Sequence, residues 1–192
     1  GTDASGRTGV LCLQLEERTS GSLRVTTDFA RPAGKPRKNL EVILDLSGSM
    51  KQPLGRSTRM DTARRVLRDV LAKVPDDYNV GLRLYGHRYG SQQKQTCTDS
   101  ELVVPIGRLD RRRVLSVVDS AKPRGETPLV YSVLQAAGDL KSAGGGSIVL
   151  VTDGEESCGG DPVAAAHQIE AAGVDVNLQI VGFPIAGKAV QQ

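Results

Sequence analysis

The sequence predicts an α/β domain: a doubly wound, mostly parallel sheet with one antiparallel edge strand, preceded by a β-hairpin. Three observations carry this. Short apolar runs, Leu40 to Leu44 and Ser147 to Thr152, have the continuous hydrophobicity of strands buried on both faces, and they alternate with helical segments. Aromatic residues make up only 3% of the chain and Trp is absent, so the core rests on Val, Leu, Ile and Ala, which suits a helix-covered sheet. Finally, the connection from Tyr85 to Glu101 leaves no room for a crossover helix, so those two strands pair antiparallel at an edge.

The elements follow in order. Leu11, Leu13 and Leu15, then Leu23, Val25 and Thr27, alternate on either side of the turn Thr19-Ser20-Gly21, which reads as a hairpin. The basic, Pro- and Gly-rich stretch from Arg31 to Lys38 reads as a linker. After the first buried strand, Met60, Ala63, Val66, Leu67, Val70 and Leu71 show helical periodicity over residues 58–74, with Thr58 as N-cap and Pro75 as terminator. Tyr78 to Tyr85 alternates as a strand, residues 86–99 form a polar loop, and Glu101 to Pro105 is a short strand. Helices follow at about 110–120 and 128–142. Pro128 at a first helical position makes Thr127 the expected N-cap of the second. The strand Ser147 to Thr152, a helix at about 162–172 and a strand from Val174 to Val181 complete the pattern.

Residues 1–8 thus read as a disordered or tag-like start, 9–37 as hairpin and linker, and 38–192 as the main domain. A fold of this type usually carries one more helix and strand, so the domain reads as truncated at its C-terminus. Either the chain continues past Gln192, or the hairpin covers part of the open sheet edge.

Composition excludes several classes. A formal charge of +3 is too weak for nucleic-acid binding, and the basic cluster Arg108 to Arg113 has no interleaved aromatics for stacking on bases; it reads as a solvated helix face. No run of about 18 apolar residues exists to span a membrane, and the opening Gly1-Thr2-Asp3-Ala4-Ser5-Gly6 lacks the apolar core of a signal peptide. The spacing of Cys12, Cys97 and Cys158 matches no zinc motif.

Two apolar strands run into an aspartate: Leu40 to Leu44 into Asp45, and Ile148 to Thr152 into Asp153. In doubly wound sheets, ligands bind in the crevice outside the carboxyl ends of the strands. Ser47 and Ser49 follow Asp45 at alternate positions, with Gly48 allowing the turn to fold back, and Thr127 begins a helix on the same edge. This is a set of hard oxygen donors without thiolate or imidazole. The fitting ion is Mg²⁺, with Mn²⁺ or Ca²⁺ as alternatives.

Asp45-Leu46-Ser47-Gly48-Ser49, Thr127 within Gly125-Glu126-Thr127-Pro128-Leu129, and Asp153 within Val151-Thr152-Asp153-Gly154-Glu155 together resemble the von Willebrand factor A-type domain with its metal-ion-dependent adhesion site. Tyr85-Gly86-His87-Arg88, the loop holding Cys97 and the loop from Gly154 to Asp161 holding Cys158 look most like bacterial members of that family. The resemblance covers about residues 38–183. It implies a Rossmann-like fold with strand order 3-2-1-4-5 and an antiparallel third strand. It also implies a metal bound by Asp45, Ser47, Ser49, Thr127 and Asp153, with the hydroxyls in direct contact and the aspartates often acting through water. The partner implied is a protein that supplies a Glu or Asp carboxylate to the ion, in the manner of a cell-adhesion module. In the inferred topology the loops holding Cys97 and Cys158 flank the first strand on the metal edge, so a Cys97–Cys158 disulfide is expected, with Cys12 a buried hydrophobic residue of the hairpin. The disulfide and the hairpin lean toward the cell envelope or the extracellular space. The alternative is a cytoplasmic subunit of an ATPase-linked, chelatase-like or chaperone-like assembly.

Glu155 and Glu156, beside the site, read either as tuning groups or as a solvated loop. His87 and His167 read as non-ligands. Enzyme readings fare worse. A phosphatase with an aspartyl nucleophile needs a second carboxylate where Ser47 stands, no P-loop signature exists, and Gly144-Gly145-Gly146 precedes a strand instead of a helix. A vestigial site, folded but unused, is the remaining structural alternative.

Overall fold

The computed structural model describes residues 12–17, 23–28 and 38–182. The first eight residues, the turn at 19–21, the linker at 31–37 and the chain after Gly182 lie outside them, as does the side chain of Cys12. The strands are β1 (Cys12–Glu17), β2 (Leu23–Asp28), β3 (Asn39–Asp45), the two-residue β4 (Pro53–Leu54) and β5 (Ser57–Thr58), β6 (Asn79–Tyr85), β7 (Ser100–Arg108), β8 (Gly146–Thr152) and β9 (Val176–Gly182). The helices are α1 (Arg59–Lys73), α2 (Arg111–Ser120), α3 (Leu129–Ser142) and α4 (Pro162–Ala171), with short 3₁₀ turns at Gly48–Lys51 and Lys94–Thr98.

One sheet runs β1-β2-β9-β8-β3-β6-β7. β3 pairs parallel with both β6 and β8, and β8 parallel with β9, while β7 closes one edge antiparallel on β6. Counted from β3, the main-domain strands stand in the order third, second, first, fourth, fifth, as the resemblance implies. At the other edge, β2 adds antiparallel to β9 from Leu23↔Gly182 to Thr26↔Gln179, and β1 pairs with β2. The hairpin therefore covers the edge that β9 would otherwise present, supplying partners to its unpaired backbone groups.

The period of two along β3 splits the core. Leu40, Val42 and Leu44 face α1 and α2 and pack with Met60, Ala63, Leu67, Leu71, Val114 and Val118. Ile43 faces the other way, with Tyr85, Ile148 and Leu150, against Val133, Ala136 and Leu140 of α3. Glu41 shares this second face and is fully buried. The Arg83 Nε donates to its Oε1 at 2.8 Å, and the Arg83 Nη2 also bonds Asp139 of α3. Burial pushes the Glu41 carboxyl up to about 7, although the Arg83 guanidinium pulls it down.

α1 starts where predicted. The Thr58 hydroxyl accepts from the Asp61 N–H while Asp61 accepts from the Thr58 N–H, a capping box that satisfies two exposed donors. The basic cluster is not only a solvated face: Arg111 donates to the carbonyls of Leu71 and Val74, closing the C-terminal end of α1.

Candidate functional site

β3 is flanked by β6, reached through α1, and by β8, reached through α3, so the chain direction reverses around it. Such a switch point opens a crevice at the carboxyl ends of the strands. An open depression of about 390 Å³ lies there, lined among others by Ser47, Ser49, Arg59, Thr127, Asp153 and Gly154.

Asp45, the last residue of β3, is fully buried beneath this depression. Its Oδ1 accepts the Ser47 N–H at 2.7 Å and its Oδ2 accepts the Thr152 hydroxyl at 2.6 Å. Thr152 in turn accepts from the Tyr85 hydroxyl at 3.1 Å. A directed relay thus runs from Tyr85 through Thr152 to Asp45 and fixes the carboxylate. Burial raises the Asp45 carboxyl, the bonds from Ser47 and Thr152 oppose this, and the neighbouring Asp153 charge adds to the rise, so the net direction is upward. Burial, together with the Asp45 charge, holds the Tyr85 hydroxyl far above its ordinary value, so it stays a donor.

Ser47 and Ser49 stand above. Their Oγ atoms are 2.9 Å apart, and the Ser49 Oγ donates to Asp153 Oδ1 at 2.9 Å. Because the Ser49 proton goes to Asp153, Ser47 is the donor in the serine pair, and lone pairs on both oxygens remain for an electrophile. Thr127 is buried, with its hydroxyl near the Gly154 backbone: a Cβ on Gly154 would meet Thr127 Oγ1 at 3.6 Å and Ser49 Oγ at 3.8 Å. The structure thus draws Ser47, Ser49, Thr127 and Asp153 from three separate segments to one depression, with Asp45 buried behind Ser47.

The turn that carries Thr127 is bracketed by backbone. Gly48 N donates to Gly125 O at 2.8 Å, Arg124 N to Leu46 O at 2.7 Å, and Gly125 N to Gly86 O at 2.8 Å. Gly125 admits no side chain, since a Cβ there would lie 2.5 Å from Tyr89 O and 2.8 Å from Thr96 Oγ1. Thr96 Oγ1 accepts the Glu126 N–H at 3.0 Å. Beneath it, the buried Asp99 accepts from Arg88 Nε and from the N–H groups of Arg88 and Tyr89. Burial raises its carboxyl, but those bonds outweigh the rise and hold it below the usual range.

The Cys97–Cys158 disulfide forms, with sulfurs 2.06 Å apart, tying the loop that contacts Glu126 to the loop that follows Asp153.

One expectation is corrected. Thr127 does not cap α3, which begins at Leu129 with Pro128 as its N-cap residue and no capping bond from that side chain. The cap comes instead from Glu156, whose Oε2 accepts the Val130 N–H at 2.7 Å and whose Oε1 accepts the Cys158 N–H at 2.6 Å. A carboxylate at a helix N-terminus satisfies both the exposed donor and the dipole. This arrangement leaves the Thr127 hydroxyl for the depression and makes Glu156 structural, while Glu155 stays on the rim. His87 stands 3.4 Å from Glu101 and 3.8 Å from Asp99, outside the depression, and His167 lies exposed on α4, 3.9 Å from Glu170.

The residue with no forewarning in the sequence is Arg59. Its Nη1 donates to Asp153 Oδ2 at 2.6 Å, across 94 positions of chain. Nor does the sequence signal that Thr152, directly before Asp153, and Tyr85, the end of its strand, share the hydrogen-bond relay to Asp45. Among the described residues, no three His, Cys, Asp or Glu side chains gather as a metal cage. The donors here are two carboxylates and three hydroxyls, a hard-oxygen set that suits an ion keeping several of its own waters.

Fold and crevice together define a Rossmann-like α/β domain with an open depression at the C-terminal edge of its parallel strands. The chain belongs to the von Willebrand factor type A domain family, whose profile matches residues 40–156. It is 30% identical over 169 residues to the uncharacterized protein YwmD of Bacillus subtilis, covering 83% of this chain and 75% of YwmD. It is 26% identical over 155 residues to the uncharacterized YwmC of the same organism, covering 78% of this chain and 67% of YwmC. Among solved structures it resembles proximal thread matrix protein 1 of the mussel byssus with a zinc-occupied MIDAS motif (TM-score 0.53, 15% identity, 74% of this chain). It also resembles the pilus adhesin SpaC of Lactobacillus rhamnosus GG (TM-score 0.51, 17% identity, 76% of this chain). The chain spans 37% of the mussel chain and 19% of the adhesin. At these identities the likeness is one of fold.

Proposed function

We propose that this domain is a metal-dependent protein-binding module of adhesion type. Asp45, Ser47, Ser49, Thr127 and Asp153 hold a divalent cation in a metal-ion-dependent adhesion site, and an acidic side chain of a partner protein completes its coordination. The observation that carries this reading is the convergence of the Ser47, Ser49, Thr127 and Asp153 oxygens on one open depression. Neutral hydroxyls next to the ion would leave it strongly electrophilic, and the open mouth admits a ligand from outside. Mg²⁺ fits best, with Mn²⁺ or Ca²⁺ as alternatives. The zinc-occupied motif of the mussel neighbour supports a divalent cation at this place, and the SpaC neighbour, a pilus adhesin, supports the adhesion role.

We read the Ser49–Asp153 pair, like the other oxygens of the site, as coordinating groups, which makes the proposed role one of binding and not of catalysis. The disulfide supports a bacterial cell-envelope or extracellular setting over the ATPase-linked intracellular one, because such bonds persist in oxidising compartments. Among the described residues, no helix is long and apolar enough to cross a membrane.

The test is calorimetric titration of Mg²⁺ and Mn²⁺ into the wild type and Asp45→Ala. The wild type is expected to bind, and the variant to lose at least about 10-fold in affinity, since it removes the anchor of the Ser47 turn. Equal binding by both proteins would remove the reading.

A further inference from the structure

Three features of Arg59 go against local physical rules at once. It stands at the first position of α1, where the helix dipole disfavours a cation. Its side chain is only 13% exposed. Its Nε is buried with no hydrogen-bond partner. Proteins break local rules chiefly at functional positions and compensate for the breach elsewhere. The compensating contact is the ion pair with Asp153, whose side chain is fully buried.

From this we infer that Arg59 is the internal counter-cation of the adhesion site: it balances Asp153 when no metal is present, weakens the metal's affinity, and makes metal and acidic ligand bind cooperatively. The inference rests on the cation-site reading above and deepens it.

The charges explain why. Asp45 and Asp153 are the buried carboxylates of the site, and Arg59, half-buried, is the cation paired with Asp153. Without metal, Arg59 offsets one of the two negative charges and spares Asp153 from being a bare buried anion, which is costly. A divalent ion drawing on Asp153 must share that carboxylate with the guanidinium, and the two cations repel. The loaded site then holds one positive charge in excess, which a single incoming carboxylate neutralises. Without Arg59 the loaded site is already neutral and attracts an anion less. Two further carboxylates border the depression: Glu155 is exposed, and Glu126 is half-buried with its Oε2 accepting from Ser157 Oγ at 2.8 Å. Both are more exposed than Asp45 and Asp153, so solvent and salt screen their charge more strongly. Capping at α1 does not account for Arg59, since Thr58 and Asp61 already provide the capping box.

The test titrates Mn²⁺ into the wild type, Arg59→Gln and Arg59→Lys, and melts each protein in EDTA and at saturating Mn²⁺. Arg59→Gln is expected to bind Mn²⁺ about 10-fold or more tightly than wild type, in keeping with the size of charge–charge energies near a protein surface. It is also expected to melt lower than wild type in EDTA, with the gap closing at saturating Mn²⁺. Arg59→Lys keeps the charge and stays within about 3-fold of wild type. Wild-type binding with no gain in Arg59→Gln overturns the role of Arg59 alone, as does an equal gain in Arg59→Lys. Absence of Mn²⁺ binding in the wild type overturns the cation-site reading and the tuning role with it. If Arg59→Gln is too unstable to titrate, melting of Arg59→Gln/Asp153→Asn beside Asp153→Asn in EDTA decides. Removing both charges is expected to restore stability lost by removing one, and independent effects would overturn the proposal.

Discussion

The disulfide on the rim of the site permits a worked prediction. Cys97 and Cys158 are 61 positions apart in the chain, with Cα atoms 5.4 Å apart. Replacing both by Ser frees the unfolded chain from a loop of that length. The loop-closure relation assigns this about 4 kcal/mol at 25 °C. For a chain of this size each kcal/mol lowers the melting temperature by about 2–4 °C, so Cys97→Ser/Cys158→Ser is expected to melt about 8–16 °C below wild type. Urea unfolding should show a steeper dependence on denaturant, because the unlinked unfolded chain exposes more surface. Metal affinity should fall as well: Thr96, next to Cys97, holds the Glu126 N–H at 3.0 Å, and a loosened loop lets the Thr127 turn drift. Scanning calorimetry and urea titration of both proteins measure this. A loss below about 1 kcal/mol with an unchanged denaturant slope would refute the argument, because the bond would then constrain neither the unfolded chain nor the rim.

Two further outcomes follow from the structure. Gly125→Ala places a Cβ 2.5 Å from Tyr89 O and 2.8 Å from Thr96 Oγ1, so it should cost about 1–3 kcal/mol of stability by overpacking and weaken Mn²⁺ binding severalfold in calorimetry. Wild-type affinity in that variant would show that the bracket around Thr127 does not position it. Glu41 makes stability depend on pH. Its carboxyl titrates near 7 in the folded protein and near 4.5 when unfolded, so the folded state holds the extra proton between those values. The stabilisation is complete below about 4.5 and is lost as pH rises through 7, by about 3 kcal/mol in total. Glu41→Gln should flatten this slope in urea midpoints measured across the window, and equal slopes in both proteins would count against the buried-carboxyl account.

Much of the fold was legible in the sequence because its signals are local. Apolar runs ending at Asp45 and Asp153, the helical period after Thr58 and the short connection after Tyr85 each depend on neighbours within a few turns or one strand. They sufficed for the parallel sheet and its antiparallel edge. The alternation of Asp45, Ser47 and Ser49 about Gly48 likewise placed three candidate ligands on one turn, while a strand end placed Asp153, and a helix start Thr127, on the same edge.

What the sequence by itself determined was thus the set of elements and the identity of oxygen donors that strand ends and turns could present. Tertiary structure alone decided which groups meet across the chain. Arg59 reaches Asp153 from 94 positions away, and Glu156 takes the cap of α3 from a loop 26 positions beyond it, releasing Thr127. Tyr85 and Thr152 join only because β6 and β8 flank β3 with their carboxyl ends together. The physical reason is common to all of these. A period or a motif records the company a residue keeps along the chain, whereas an ion pair or a borrowed cap depends on where the sheet brings distant segments into contact.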